Sequence, residues 1–304
     1  MKKHAYLIMA HNEPEILRKL ISLLDDVRND IYLHIDKKTD MAIFGNIETK
    51  YSKVTYVRRN NVYWGGLSQI RCELTLFEEA ARNGHYGHYH LLSGSDFPLK
   101  SQNYIHWFMD EKFPCSEFVG FMEDNKDSVN DIEFKTQFYH FVPSFAVSNH
   151  SVSQILNRFN NICVRFQRFL KIRRKYSIEL KKGPNWVSIT DEFCRYLLSH
   201  KRDILKMFKF TLCSDEMFLQ TFLWKSEFKD NIYNLGKGEY EECLRYVKWR
   251  IGEKSPKTLT KEDLNEVLQS NAIFARKFSQ CDMTIVDYLI KELPKSTIPK
   301  VGDY

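Results

Sequence analysis

The residues able to do chemistry in this chain fall into a few short groups, and each group has a plain structural explanation beside the functional one. The segment HYGHYH brings His85, His88 and His90 close together. Zinc wants a tetrahedral ligand set, yet on a strand only His88 and His90 share a face, while His85 falls in the Gly84–Gly87 turn. No fourth ligand is near in sequence, so hydrogen-bonded histidines at a strand entrance are expected and a metal is not. Next comes Ser93-Gly94-Ser95-Asp96-Phe97-Pro98, whose small residues let backbone approach a ligand and whose Asp96 can accept from hydroxyl groups. As a plain structure it is an ordinary turn. In CSDEMF, Asp215 and Glu216 stand at the start of an apolar helix, where they complement the helix dipole or, alternatively, take a proton from a hydroxyl. Lys254, Lys257 and Lys261 precede a helix at 260–269 and read as a solvated face or as cations for an anionic ligand. Trp64 and Trp186 are suited to stacking on a sugar and equally to a core.

These residues need elements to position them. Residues 4–10 have the pattern of a buried strand, 13–26 of a helix with Ile16, Leu20, Leu23 and Leu24 on one face, and 30–35 of a second strand. A third strand near 54–57, a helix from Leu67 to about Arg82 and a strand from Tyr89 to Leu92 continue the rhythm. Such β-α-β alternation predicts an α/β fold with a largely parallel sheet and a ligand beyond the carboxyl ends of its strands. AHNE with His11 and Asn12, HIDKK with His34 and Asp36, and SGSDFP all fall at such ends. Residues 122–150 are polar and poorly periodic, and 151–182 are amphipathic and strongly basic, closed by Gly183-Pro184. A strand over Trp186–Ile189 leads through Thr190 as N-cap into a helix at 191–200, and a further helix starts near Ser214. We expect a single domain spanning 1–304, with a nucleotide-binding half at 1–121, a variable basic insertion at 122–182 and a second half at 183–304.

Composition narrows the class. The 304 residues, 43% of them hydrophobic, can bury a proper core. Net charge is +6 from 45 basic and 39 acidic residues, an excess on a mixed surface rather than a polycation. Seven scattered cysteines without a Cys-x-x-Cys pair predict reduced thiols in a cytoplasmic protein. The apolar run Ala5–Ala10 is too short for a signal peptide, and no stretch approaches the ~20 apolar residues that cross a bilayer.

Taken in order, YLIMAHNEPEILRKLISLL, IYLHIDKK, the Trp64-Gly65-Gly66 turn, HLLSGSDFPLKS, GPNWVSITDEF, SDEMFLQTFL and SPKTLTKEDLNEVLQSNAIFARKF form a highly specific set. The chain resembles glycosyltransferase family 14, the core-2/I-branching β-1,6-N-acetylglucosaminyltransferases and peptide O-xylosyltransferases, over nearly its whole length. That resemblance implies a GT-A-like fold with a mostly parallel central sheet flanked by helices. It also implies a uridine diphosphate sugar as donor, inversion at the anomeric carbon, and action without a divalent metal or other cofactor. Metal-dependent sugar-nucleotide transferases of similar architecture usually carry Asp-x-Asp after the SGSDFP-like strand, and this sequence has none.

By the same resemblance the glutamate of the Ser-x-Asp-Glu segment is the catalytic base, which falls on Glu216. The lysine that binds the donor diphosphate falls on Lys277. The family's arginine partner stands in a His-Pro-Arg-like context, which is Ser255-Pro256-Lys257 here, so Lys257 keeps the charge without the forked geometry and Arg276 is its substitute. His11, Asn12, His34 and Asp36 are expected around the nucleotide, with Asp36 near base or ribose. Trp64, Asp96 and Trp186 are expected at the nucleotide or sugar.

Two other classes compete. A glycoside hydrolase needs two carboxylates about the bond, for which Asp96 and Glu216 are the candidates. An anionic-polymer-binding protein is motivated by the basic 164–182 stretch with Phe166, Phe169 and Tyr176 interleaved, although no nucleic-acid module is evident. The same stretch would also suit peripheral contact with an anionic membrane at its inner face, against the alternative of a solvated helix. Golgi relatives have an amino-terminal membrane anchor and this sequence shows none. The expectation is therefore a bacterial-type, soluble, cytoplasmic enzyme whose acceptor is a glycan or lipid-linked oligosaccharide in surface polysaccharide synthesis.

Overall fold

The computed structural model of the chain describes residues 2–141, 150–250, 252–253 and 255–293. Lys254 and residues 142–149 of the expected insertion lie outside the described residues. The strands are β1 His4–Ala10, β2 Asn29–Ile35, β3 Lys53–Tyr56, β4 His88–Ser93, β5 Asp96–Pro98, β6 Ser188–Thr190, β7 Arg245–Val247 and β8 Phe274–Arg276. The helices are α1 Pro14–Leu24, α2 Leu67–Asn83, α3 Gln102–His106, α4 Lys126–Thr136, α5 His150–Phe169, α6 Asp191–Ser199, α7 Lys201–Met207, α8 Phe218–Trp224, α9 Glu239–Glu242, α10 Leu264–Gln269 and α11 Thr284–Glu292.

The central sheet has the order β3-β2-β1-β4-β6. β1 runs parallel to both β2 and β4, β2 parallel to β3, and β6 antiparallel to β4. Side chains alternate across a strand, so β1 feeds two cores at once. Tyr6, Ile8 and Ala10 join the α1, α3 and α11 side, and Ala5 and Leu7 join the α2, α6 and α8 side. This explains why β1 is a near-continuous apolar run and why β4 is buried along its whole length: both faces are covered. The chain leaves β1 toward β2 and β3, then returns through α2 to place β4 on the other flank of β1. That reversal opens a crevice at the carboxyl ends of β1 and β4. A second sheet, β5-β8-β7, abuts the opening and carries Arg276 at the end of β8.

Local chemistry sets the boundaries. Pro14 occupies the first turn of α1, where its missing N–H costs nothing. Thr190 caps α6 by accepting from Phe193 N at 3.2 Å. The expected mostly parallel α/β architecture is the one observed, and four local readings need correction. Within the supposedly aperiodic 122–150 lies α4, capped reciprocally by Asn125 and Ser128. It escaped the periodicity because it lies on the surface and buries only Ser128 and Thr136. The basic stretch 151–182 is helical only to Phe169. The strand expected at Trp186–Ile189 runs from Ser188 to Thr190. The helix expected near Ser214 begins with a tight 3-10 turn, Ser214–Glu216, before α8.

Candidate active site

A cleft of about 920 Å³ opens over the carboxyl ends of β1, β2 and β4. Of the residues singled out in the sequence, His11, Asn12, His34, Asp36, Trp64, Trp186, Glu216, Arg276 and Lys277 all line it. They come from segments spread from the first strand to the last, brought together by the crevice of the sheet.

On the amino-terminal side, His34 is buried and its Nε2 accepts from Asn60 N at 3.0 Å. Burial pushes its imidazole down to about 4, so it is a neutral ring at physiological pH. The Asp36 carboxylate accepts from Lys38 N at 2.9 Å and Lys38 Nζ at 2.7 Å. Arg59 donates to the Ile35 and Asp36 carbonyls at 3.0 and 2.9 Å, which fixes the loop after β2. Between β4 and β5, Gly94 N donates to Met9 O at 2.8 Å. A Cβ on Gly94 would stand 2.8 Å from Ala10 Cβ, so only glycine lets this turn lie against the end of β1.

Asp96 is not on the cleft wall. Its carboxylate is buried, accepts from Ser93 N at 2.9 Å and Ser93 Oγ at 2.8 Å, and pairs with Arg276 Nε at 3.2 Å. It shapes the turn and holds the guanidinium. The expectation that it meets sugar or ribose hydroxyls directly is therefore corrected: its oxygens are engaged within the protein.

Arg276 lies over the Trp186 ring at 4.5 Å, and Lys277 Nζ reaches Ser255 Oγ at 3.3 Å. Lys257 is not brought to this place. Its ammonium is held by both oxygens of Asp263 at 2.7 Å, beneath the start of α10, and the side chain is largely buried there. The cations presented to the cleft include Arg276 and Lys277, with Arg245 deeper in. Arg245 is fully buried, donates to Cys243 O and Ser188 Oγ, and stacks on Phe274; burial lowers its guanidinium to about 10.

On the opposite wall the 3-10 turn displays Glu216, a third of whose side chain is exposed. Lys135 Nζ and Lys182 Nζ each stand 3.3 Å from Oε2. Burial works against the Lys135 charge, yet Glu216 and Asp131 beside it win, and its ammonium is held above the ordinary lysine range. Asp215 points inward, accepting from Gln69 Nε2 at 3.0 Å. Burial, and then the Glu216 charge, push its carboxyl up to about 7. The two adjacent acids both line the cleft but differ in environment: Glu216 is partly exposed between two ammonium groups, and Asp215 is buried beside Gln69.

The cleft also contains residues that the sequence did not single out: Gln69, Tyr240, Arg245 and Trp249. The Trp249 indole donates to Tyr240 Oη at 2.7 Å, so the two rings form one rim. Lys182 was visible only as part of a basic stretch, and Lys135 not at all, because α4 was not seen.

The histidines of HYGHYH do not line the cleft. His85 pairs with Asp191 at 2.7 Å, and His90 bonds Ser188 Oγ and His4. Among the described residues, His4, His106 and Asp110 have ligand atoms within 4.8 Å of one another. They lie at the amino end of the sheet and hydrogen-bond each other, His4 to Asp110 at 2.9 Å and His106 to Asp110 at 3.1 Å.

A mostly parallel five-stranded sheet with flanking helices and a cleft at its reversal point is an α/β architecture consistent with the GT-A fold. Residues 4–271 match the Core-2/I-Branching enzyme family, and the chain belongs to that family of glycosyltransferases. The matched span includes Glu216 and ends before Arg276 and Lys277. No curated protein matches the chain. Family membership sets aside the glycoside hydrolase and polymer-binding readings, and Asp96 is in any case committed to Arg276. Among the described residues no helix is long and apolar enough to cross a membrane.

Proposed function

We propose that this glycosyltransferase moves a sugar, N-acetylglucosamine or xylose, from a uridine diphosphate sugar to a glycan hydroxyl, with inversion and without a divalent metal. The observation that carries the reading is the pairing of Glu216 with Arg276 and Lys277 around one cleft. An acceptor hydroxyl beside Glu216 attacks the anomeric carbon and gives its proton to the carboxylate as the new C–O bond forms. The bond from that carbon to the diphosphate oxygen breaks on the opposite face, and the electron pair leaves with the nucleoside diphosphate. Lys277 and Arg276 stabilise the charge that grows there, the part a bound cation takes in metal-dependent enzymes. A single displacement inverts the carbon.

Arg276 suits this task because Asp96 and Trp186 hold it in place before substrate arrives. His11, Asn12, His34 and Asp36 take the nucleotide, and Trp64 and Trp186 take the sugar. We assign the whole chain to one catalytic domain acting in bacterial surface polysaccharide synthesis. All seven cysteines are free thiols, four of them buried, which fits a reducing, cytoplasmic setting.

A panel of nucleotide sugars, read by calorimetric binding and slow donor hydrolysis in EDTA, tests the reading without knowledge of the acceptor. A uridine diphosphate sugar should bind equally with and without chelator. A strict requirement for manganese or magnesium would overturn metal-free binding, and exclusive binding of another nucleotide would overturn the donor assignment.

A further inference from the structure

Helix α5 is amphipathic the wrong way round for a helix that packs on its own protein. Its large apolar residues Ile155, Phe159, Ile162, Phe166 and Phe169 recur at helical spacing, so they form one narrow stripe. That stripe faces away from the body, with exposures of 63, 52, 62, 61 and 82%. The face turned inward carries Asn160, Val164 and Gln167. Asn160 meets His140 at 3.1 Å, and Gln167 both accepts from Tyr139 N at 2.8 Å and donates to Tyr139 O at 2.9 Å. The helix is therefore anchored by polar contacts and presents five bulky apolar side chains outward, a patch far beyond scattered surface hydrophobics.

The charge around the stripe states what covers it. No Asp or Glu occurs between Glu133 and Glu179. Arg158 and Arg165 run along one flank of the stripe, Arg168 lies further round with its guanidinium over the Phe138 ring at 5.2 Å, and Lys171, Arg173 and Lys175 follow the helix. A basic flank beside an aromatic and aliphatic stripe is the composition of a helix that lies in a membrane interface. A symmetric pairing of two copies through this face would instead bring two arginine-bearing flanks together, with no acid on the helix to offset them.

We propose that α5 is an interfacial anchor that seats its Ile/Phe stripe in an anionic bilayer surface, with the arginine flank at the lipid phosphates. The anchor rests on the segment that follows α4, and α4 carries the Lys135 that contacts Glu216. Binding would thus tie the lipid surface to the wall of the cleft that holds Glu216, a placement that suits a lipid-linked acceptor. The anchor itself stands independently of that reading.

Co-sedimentation of the full chain with phosphatidylglycerol/phosphatidylcholine vesicles and with pure phosphatidylcholine vesicles tests it. The chain should bind the anionic vesicles, and raised salt should weaken that binding. Phe159→Ser combined with Phe166→Ser, and separately Arg158→Gln combined with Arg165→Gln, should each reduce binding by at least about tenfold. Thermal melting of both variants verifies the fold. Phe166→Trp provides a second readout, in which brominated lipid should quench the added indole fluorescence beyond the wild-type background. Absence of binding to anionic vesicles, or binding unchanged by the serine pair with no quenching of the indole, would overturn the proposal. A concentration-dependent dimer that the serine pair abolishes, without vesicle binding, would assign the face to a second copy instead.

Discussion

At the scale of single residues, two lysines near each other in sequence are given opposite work. Lys257 is buried against Asp263, and the pair holds the start of α10, where Asp263 also accepts from Thr260 N at 3.0 Å. Lys277 reaches the cleft, where among the described residues its ammonium has a 3.3 Å contact to Ser255 Oγ, leaving its charge for a ligand. Lys277→Ala should therefore weaken uridine diphosphate sugar binding by about 10- to 100-fold, the worth of one charged hydrogen bond to phosphate. Lys257→Ala should leave donor binding nearly intact and lower the melting temperature, because it strips one partner from a buried carboxylate. Calorimetry and thermal melts on both variants separate the roles. The reverse pattern would return the diphosphate to Lys257. The sequence could not make this distinction, since the Asp263 that captures Lys257 is one of several acids nearby and nothing in their order marks it.

Among the elements, those that build the crevice were legible and those that complete its far wall were not. β1, β2 and β4 are buried on both faces and each contains a short apolar segment, so His11, Asn12, His34, Asp36 and the SGSDFP turn could be placed at their ends. α4 has few buried residues to set a period, and β7 and β8 are only three residues each. Arg245, Tyr240, Trp249 and Lys135 were missed with them. The junction that holds Glu216 depends on backbone rather than side chains. Gly183 N donates to Glu216 O at 2.9 Å, and a Cβ on Gly183 would lie 1.9 Å from the Gly120 carbonyl oxygen. Gly183→Ala must displace one of these segments, at a cost of about 1–3 kcal/mol. A lowered denaturant midpoint together with reduced transfer is the expected outcome. An unaltered midpoint and rate would show that the Glu216 turn does not depend on this close approach.

Over the whole molecule, the amino-terminal strands supply one wall of the cleft and the 3-10 turn before α8 the other, with β8 closing the end. This division predicts that donor binding and proton removal are separable. Exchanging the carboxylate of Glu216 for an amide preserves its shape and leaves Arg276, Lys277 and the nucleotide wall in place, but removes the group that takes the acceptor proton. The most direct measurement is the transfer rate of Glu216→Gln, with donor affinity determined on the same preparation. The proposed mechanism predicts donor affinity close to that of the unaltered protein and transfer slower by at least about 10²-fold. Near-normal transfer by Glu216→Gln would contradict it and leave Glu216 as an acid at a helix start, with no part in the chemistry.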